Sequence, residues 1–422
     1  MGFYINSVAD SNLVFDSDFS PKNAIFTNSS SLTTTETKIK PSDGAAADIF
    51  GQSVALGSGR IVVGSYGDDD NGSYSGSAYI FDLDGTQLAK IKASDGAGND
   101  QFGKSVAVGS GRIVVGAYGD SDNGPQSGSA YIFDLDGTQV AKIKPSVGGP
   151  VNRFGWSVAV GSGRIVVGAY ANDDDGPGSG NAYLFDLDGN QLAKIDASDN
   201  ASFDFFGYAV AVGSDRICVG AYRDGDNGSY SGSAYIFDLD GTQLAKIKPS
   251  DGATQDRFGF SVAIGSGKIV VGAKTADVNS VNGSGAAYIF DLDGTQLAKI
   301  AASDGATADN FGSSVAVGSG RIVAGSSGDD DNGLASGSAY IFDLDGTQLA
   351  KIDASDGATV DYFGDSVAVG SGRIVAGARF DSDNGSDSGS AYIYNIGPGK
   401  DIDYSEYIED VLSGVITQYT RL

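Results

Sequence analysis

Residues 102–144 read FGKSVAVGSGRIVVGAYGDSDNGPQSGSAYIFDLDGTQVAKIK, and this stretch contains four short apolar runs separated by turns. The first run, residues 105–108, consists of small residues, and the second, residues 112–117, is rich in β-branched residues. Asp136-Gly137 indicates a two-residue hairpin between the third run and the fourth, because glycine accepts a positive φ. The stretch therefore predicts four antiparallel strands, which together make one blade of a β-propeller.

The same unit recurs along the chain, and a Phe-Gly pair marks each copy. The pairs begin at Phe50, Phe102, Phe154, Phe206, Phe258, Phe311 and Phe363. Consecutive pairs are 52 residues apart, except for one interval of 53 residues. Because so regular a period is typical of closed repeat arrays, we expect an all-β fold, a seven-bladed β-propeller of four-stranded antiparallel blades.

The two ends of the array complement each other. The seventh unit leaves the pattern at Gly397 before its fourth run, whereas residues 38–44 near the N-terminus repeat a fourth-run segment. We therefore expect an N-terminal strand to close the ring, which hides the edges of an open array. The sequence predicts an N-terminal arm over residues 1–34, the propeller over residues 35–396, and a tail over residues 397–422 with near-helical apolar spacing.

The charge balance disfavours several classes of partner. The chain of 422 residues carries 27 basic and 54 acidic residues, a formal net charge of −27. Such a balance disfavours nucleic acid, whose phosphates are bound by Lys and Arg, and anionic membrane surfaces. No apolar run approaches the length of a membrane span, and the first residues lack the features of a secretory signal. We expect neither nucleic-acid binding, nor membrane insertion, nor an export signal.

The residue types that most often carry catalysis are scarce. The sequence has no histidine, and its single cysteine, Cys218, replaces a valine of the other units, so we interpret it as a small buried hydrophobe. Pairs of aspartates could serve a glycosidase, but they recur in nearly every unit, whereas an active site is normally unique. We therefore expect no enzyme activity, no catalytic residue and no organic cofactor.

The unit Phe-Gly, Ser-Val-Ala-Val-Gly, Val-Gly-Ala and Gly-Ser-Ala-Tyr-Ile-Phe resembles the FG-GAP repeat over residues 35–396. The resemblance implies the seven-bladed propeller found in integrin α chains and in many microbial surface proteins. Integrin-type calcium loops have the form Asp-x-Asp-x-Asp-Gly-x-x-Asp between the first two strands. Here that place holds Gly-Ser-Gly-Arg, as in residues 57–60, so we do not transfer the integrin metal sites.

Acidic residues cluster instead between the second and third runs. The clustered carboxylates are Asp68, Asp70, Asp120, Asp122, Asp174, Asp224, Asp226, Asp329, Asp331, Asp381 and Asp383. The fifth unit departs from the pattern, with Ala276, Asp277 and Asn279. Two interpretations remain open: Asx turns, in which Asp and Asn bond their own backbone, or weak Ca²⁺ sites completed by other oxygens. Neither interpretation requires a cofactor, and Ca²⁺ is the cation that weak sites in these loops would bind.

A rigid ring with two broad faces is a platform for protein partners or surface glycans. FG-GAP proteins generally work outside cells, yet we expect no export signal here. A virion protein resolves this conflict, because it is made in the cytoplasm and released by lysis. Our leading hypothesis is a non-enzymatic virion component, such as a phage tail, fibre or capsid-decoration protein, found in the virion or outside the cell after lysis. The alternative is a calcium-stabilised adhesin on a bacterial cell surface.

Overall fold

The structure, a computed structural model, describes residues 35–146 and 149–396. Over these residues the regular elements are all strands, which confirms the predicted all-β class. The strands are β1 Glu36–Ile39, β2 Phe50–Gly57, β3 Arg60–Ser65, β4 Ser77–Phe81, β5 Gln87–Ile91, β6 Phe102–Gly109, β7 Arg112–Ala117, β8 Ser129–Asp134, β9 Gln139–Ile143, β10 Ser157–Gly161, β11 Arg164–Ala169, β12 Asn181–Phe185, β13 Gln191–Ile195, β14 Ala209–Gly213, β15 Arg216–Ala221, β16 Ser233–Phe237, β17 Gln243–Ile247, β18 Phe258–Gly265, β19 Lys268–Ala273, β20 Ala286–Phe290, β21 Gln296–Ile300, β22 Phe311–Gly318, β23 Arg321–Ser326, β24 Ser338–Phe342, β25 Gln348–Ile352, β26 Phe363–Gly370, β27 Arg373–Ala378 and β28 Ser390–Asn395. No helix in the described ranges is long and apolar enough to cross a membrane.

The strands form seven four-stranded antiparallel sheets, which are the blades. Blades 1 to 6 each consist of four consecutive strands, from β2–β5 in blade 1 to β22–β25 in blade 6. Blade 7 has the order β26-β27-β28-β1, and Lys38 of β1 lies opposite Tyr392 of β28. The predicted closure of the ring by an N-terminal strand is therefore confirmed. The predicted arm (residues 1–34) and tail (residues 397–422) lie outside the described residues.

Six of the seven blades are bonded to the next blade by a serine of the first strand, and blade 4 has Ala209 at that position. The Ser53 hydroxyl donates to the Gly103 carbonyl over 2.9 Å, which joins blade 1 to blade 2. The same bond joins blade 7 to blade 1, where the Ser366 hydroxyl donates to the Gly51 carbonyl over 2.8 Å. Because this bond recurs at the closure, the described ring is continuous.

The hydrophobic core lies between the faces of neighbouring blades. Val62 and Ile80 of blade 1 pack in one buried cluster with Ile113 and Tyr131 of blade 2. Each such burial stabilises the fold by about 1.5–3 kcal/mol. Cys218 is fully buried in a corresponding cluster, and burial raises the pKa of its thiol to about 12, which agrees with its interpretation as a small hydrophobe.

The Phe-Gly pair lies at a β-bulge at the start of blades 1, 2, 5, 6 and 7, and in blades 3 and 4 it lies just before the first strand. In blade 2 the pairing of β6 with β7 shifts register between Phe102 and Ser105. Gly103 has a φ of +89°, and a Cβ there would lie 2.2 Å from the Ser77 carbonyl oxygen. Only glycine fits, because any side chain would collide with backbone. The bulge displaces the next residue, Lys104, from the regular ladder and redirects its side chain.

The first strands of the blades surround a central channel. A cavity of about 530 Å³ lies at the end of the channel near the turns that join first and second strands. Small residues line it, such as Gly57 and Ser58 of blade 1. The opposite end of the channel is bordered by the residues that follow the Phe-Gly bulges.

Candidate functional site

One face of the ring carries both the acidic loops and the connections between blades. The Asn99 amide, in the connection into blade 2, donates to the Ser73 carbonyl in the acidic loop of blade 1 over 2.8 Å. The Gln101 amide likewise donates to the Tyr74 carbonyl over 3.0 Å. We call this side of the ring the loop face. All the carboxylates predicted from sequence as candidate cation ligands lie in its loops.

The two predicted carboxylates of blade 4 surround a lysine ammonium. The Lys246 Nζ lies 2.8 Å from carboxylate oxygens of Asp224 and Asp226 and 2.7 Å from one of Asp199. The Tyr235 hydroxyl is within 3.0 Å of both Asp199 and Asp224, and its ring lies beneath the ammonium. The ammonium thus occupies the position among the carboxylates where a cation would bind. We call this arrangement a lysine cluster.

Five blades contain a complete lysine cluster, in which one lysine contacts three carboxylates. The complete clusters are Lys90 with Asp43, Asp68 and Asp70; Lys142 with Asp95, Asp120 and Asp122; Lys246 with Asp199, Asp224 and Asp226; Lys351 with Asp304, Asp329 and Asp331; and Lys38 with Asp356, Asp381 and Asp383. The structure therefore brings together each predicted pair of carboxylates. It adds two partners that sequence reasoning missed: the lysine, and a third aspartate from the connection that enters the blade.

Blades 3 and 5 contain reduced versions of the cluster. In blade 3 the inner aspartate is replaced by Asn172, and Lys194 contacts Asp174 over 2.7 Å. In blade 5 the inner position is Ala276, and Lys299 contacts only Asp251, over 2.7 Å. These two blades are natural variants of one site within a single chain.

The same aspartates also shape their own loops. The Asp226 amide donates to Oδ1 of Asp224 over 3.0 Å, and the Asn227 amide donates to the Ser231 hydroxyl over 3.1 Å. These bonds are those of an Asx turn. One carboxylate oxygen of Asp224, Oδ1, therefore forms the turn, and the other, Oδ2, contacts Lys246. The binding of Ca²⁺ at these loops stays a prediction.

The cluster lysines are not the outward-pointing residues that an edge strand favours. The Lys142 side chain is 15% exposed and folds back over the ring of Tyr131. Burial disfavours its charge, but the hydrogen bonds that its ammonium donates to Asp120, Asp122 and Asp95 outweigh burial and raise the pKa of Lys142 above its usual value. The ammonium therefore remains charged throughout the physiological range.

Closer to the axis, the loop face carries residues that differ from blade to blade. Three positions of each repeat contribute: the residue after the Phe-Gly glycine, the residue after the second strand, and the residue before the phenylalanine. We call this set the mouth. It consists of Gln52, Lys104, Trp156, Tyr208, Phe260, Ser313 and Asp365; Tyr66, Tyr118, Tyr170, Tyr222, Lys274, Ser327 and Arg379; and Ile49, Gln101, Arg153, Phe205, Arg257, Asn310 and Tyr362. The first of these positions holds seven different residue types.

Aromatic rings of the mouth form a continuous arc across blades 3 to 5. The ring of Trp156 lies 4.8 Å from that of Tyr170 and 5.6 Å from that of Tyr208, measured between centroids. Tyr208 in turn contacts Phe260 of blade 5 over 5.1 Å. The contact of Trp156 with Tyr170 is edge-to-face, an arrangement that stabilises aromatic pairs beyond their buried area, and the other two contacts are tilted.

Lysines border this arc on both sides. The Lys104 Nζ lies 5.0 Å from the ring of Trp156 and 5.2 Å from that of Tyr66, and the Lys274 Nζ lies 3.7 Å from the ring of Phe260. Neither ammonium has a hydrogen bond or ion pair with any described residue. Burial lowers the pKa of each lysine to about 8, against a usual value of 10.5. The aromatic ring faces stabilise the positive charge of these two ammonium groups only in part.

Blades 6 and 7 complete the mouth with different chemistry. Blade 6 contributes the small residues Ser313 and Ser327. In blade 7 the Arg379 guanidinium pairs with Asp365 over 2.8 Å. The mouth therefore combines an aromatic arc, unpaired cations and one acidic group on a rigid ring.

Sequence reasoning missed the mouth, although a signal was present in the chain. The hairpins on the opposite face read Asp-Leu-Asp-Gly in blades 1 to 6, as in residues 82–85. The mouth positions, in contrast, vary among Lys, Trp, Tyr, Phe, Ser and Asp. Comparison of the repeats with one another would have singled out these positions.

Comparison with known families agrees with the internal repeats. The sequence pattern described as the FG-GAP repeat matches seven segments of the chain: 33–81, 86–133, 138–185, 190–237, 242–290, 295–342 and 347–394. Comparison with curated proteins gives no match. The matched segments together cover most of the residues that the structure describes.

Proposed function

The chain belongs to the FG-GAP repeat family, whose β-propeller is typically a non-enzymatic binding fold, and on that premise we propose that it is a binding platform without catalytic activity. The observation that carries this proposal is the mouth, where near-identical blades present different side chains. Packing explains why the other positions repeat. Rigid scaffolds commonly place their binding residues on variable loops.

The chemistry of the loop face supports a role without catalysis. Histidine, the most frequent general base, is absent from the sequence. The aspartates that could act in pairs contact lysines in blade after blade, as Asp224 contacts Lys246. A carboxylate held by an ammonium is a poor proton acceptor, because the ion pair favours its charged form.

We further propose that the protein is a virion component that contacts other particle proteins or a host surface. The described ring is continuous, and the chain has one cysteine and hence no intrachain disulfide, which suits assembly in a reducing cytoplasm before release by lysis. The test is to fractionate a lysate of the source culture on a density gradient. The protein should migrate with particles and stay bound in high salt; recovery only in soluble fractions would contradict this role.

The alternative, a calcium-stabilised adhesin on a bacterial surface, is favoured by one observation. In blades 4 and 7, three carboxylates approach so closely that oxygens of each lie within 4.8 Å of one another: Asp199, Asp224 and Asp226, and Asp356, Asp381 and Asp383. We propose that Ca²⁺ is nevertheless not required, because a lysine ammonium lies among the carboxylates of each set.

Thermal unfolding separates these two proposals. With the lysines as resident cations, adding Ca²⁺ or a chelator at matched ionic strength should move the midpoint by less than about 1 °C. A rise of several degrees with Ca²⁺ would mean that the loops bind the ion in the folded state, and would favour the adhesin. Labelling of the protein on intact cells would then confirm its location.

A further inference from the structure

The mouth has an excess of positive charge within a strongly acidic chain. Against a formal net charge of −27, the mouth positions themselves hold five cations and a single carboxylate. The cations are Lys104, Lys274, Arg153, Arg257 and Arg379, and the carboxylate is Asp365. Because Arg379 already pairs with Asp365, the remaining cations are available to an anionic ligand.

Two of these cations lack the partners that the other lysines of the loop face have. The Lys90 Nζ lies within 2.8 Å of three carboxylates, whereas those of Lys104 and Lys274 contact ring faces only. A partly buried charge without an ionic partner destabilises a fold. Such a group is retained where it serves binding, because strain of this kind concentrates at functional sites.

The aromatic arc adds a second recognition element. Trp156, Tyr208 and Phe260 offer apolar rings in sequence around the axis, and tyrosines add hydroxyl groups at their edges. Sites that combine apolar surface with a few polar groups are typical of small organic ligands. A pyranose ring matches both features, since its C–H face is apolar and its edge is ringed with hydroxyls.

The rim of the mouth limits how much negative charge can approach. Two carboxylates of each complete lysine cluster remain substantially exposed, such as Asp43 at 47% and Asp70 at 43% in blade 1. These groups would repel a polyanion laid across the face, including nucleic acid, over the range of about 8–10 Å that salt allows. A ligand with a single terminal anionic group escapes most of this repulsion.

From these observations we propose that the mouth binds the terminal carboxylated sugar of a glycan. The sugar ring stacks on the aromatic arc at Trp156, and its carboxylate pairs with Lys104 or Lys274. This inference rests on the proposed binding function and assigns a ligand class to it. The neighbouring small residues of blade 6, Ser313 and Ser327, leave that side of the mouth without bulky side chains, where the rest of the glycan can leave.

The single tryptophan of the chain provides the readout, because Trp156 lies in the mouth. The full chain is titrated with methyl glucuronide or methyl sialoside, and separately with neutral methyl glucoside, while the Trp156 emission is recorded. At least one carboxylated sugar should give a saturable change, and the neutral sugar should bind roughly tenfold more weakly or worse. No change with either carboxylated sugar would overturn the proposal.

Matched variants locate the carboxylate. Lys104→Met or Lys274→Met should weaken binding roughly ten- to a hundredfold, whereas Lys92→Met, which removes a rim charge that pairs with Asp70, should change it little. Equal loss in all three variants would overturn the site assignment. The site assignment would also be overturned if a capped acidic dipeptide changed the Trp156 emission and the sugars did not.

The outcomes for this inference and for the virion proposal are distinguishable. Particle association without sugar binding would refute this inference and leave the virion proposal standing. Sugar binding without particle association would refute the virion proposal and leave this inference standing.

Discussion

Two lysines of the loop face, Lys246 and Lys104, show how different the lysine clusters and the mouth are. Both side chains are largely withdrawn from water, and for both burial is the largest influence on the pKa. Three carboxylates reverse that influence at Lys246, where the pKa is raised, whereas at Lys104 it is lowered to about 8. Neighbouring groups, rather than burial alone, decide the charge behaviour of each lysine.

The clusters and the mouth also differ in how they repeat. Five blades contain the same complete cluster, and the two exceptions have fewer carboxylates around the lysine, although Lys194 of blade 3 also contacts Asp196 over 3.4 Å. The mouth instead contains a different side chain after the Phe-Gly glycine in every blade. In an array of equal units, a contact that stabilises one blade is expected to recur in the others. A site for one asymmetric ligand instead needs different side chains from different blades. The comparison assigns stability to the clusters and recognition to the mouth.

The largest expected effect is the removal of a cluster lysine. Lys246→Met leaves Asp224, whose side chain is 3% exposed, without its counterion, and should lower the free energy of unfolding by about 3 kcal/mol. Lys299→Met is the matched control in blade 5, because its single partner Asp251 is 50% exposed; the loss there should stay below about 1 kcal/mol. Urea unfolding at pH 7 measures both.

The ratio of these two losses tests the stabilising role of the clusters. Similar losses in the two variants would show that the number and burial of the carboxylates around the lysine contribute little to stability. Methionine has nearly the length of lysine, so each variant keeps a long side chain beside Tyr235 or Tyr288, whose rings lie under the ammonium groups of the natural protein, and packing is held nearly constant.

The second largest expected effect is a gain in stability when a lysine of the mouth is removed. Lys104→Met should raise the free energy of unfolding at pH 7 by about 1–2 kcal/mol, the value of a lowered pKa after allowance for partial solvation. The folded pKa is about 8 and the unfolded value 10.5, so the unfolded state binds more protons between these pH values. Stability of the natural protein therefore rises from pH 8 to 10.5.

The advantage of this variant should consequently shrink as the pH approaches 10.5, which unfolding curves at pH 7, 8.5 and 10 can follow. Lys92→Met, a rim lysine that pairs with Asp70, should show no such gain. If Lys104→Met destabilises the protein at every pH, the cation–π contacts with Trp156 and Tyr66 outweigh burial, and the contrast between mouth and cluster disappears.

The fold was predictable from sequence because each level of the pattern agreed. Turn residues, strand length and the 52-residue period all indicated the same blade, and the repeated segment at residues 38–44 indicated the closure that β1 and β28 form. The orientation of Lys142 was not predictable by alternation, because a long side chain can fold back over Tyr131 from an edge strand.

The composition of the site escaped sequence reasoning for two physical reasons. The third carboxylate of a cluster comes from a neighbouring connection, as Asp199 lies 47 positions before Lys246, so no local spacing indicates it. Lys104 of the mouth follows a bulge that interrupts the alternation of sides in blade 2, and the mixture of Lys, Trp and Tyr at the equivalent positions has no period of its own. Only the three-dimensional ring unites them.

The smallest effect concerns Asp204, which lies between the two regions, next to Phe205 of the mouth and near Asp224 of a cluster. Burial raises the pKa of Asp204 to about 6, and the charge of Asp224 adds to the shift. Blade 3 has Asn152 at the corresponding buried position, so an amide fits there. Asp204→Asn should therefore raise the free energy of unfolding at pH 7 by about 1 kcal/mol.

The sign follows from proton binding. Because the folded pKa exceeds the unfolded value of 3.8, the folded state binds more protons between about pH 4 and 6, and the natural protein gains stability as the pH falls through this range. The advantage of Asp204→Asn should vanish by pH 4, while Asp240→Asn, at a side chain 87% exposed, should be neutral at both pH values. A gain that persists at pH 4 would trace the effect to the bond that the Ala201 amide donates to Asp204. In that case the negative charge of the lysine cluster would not reach the border of the mouth. The proposed repulsion of polyanions at the mouth requires that this charge does reach it.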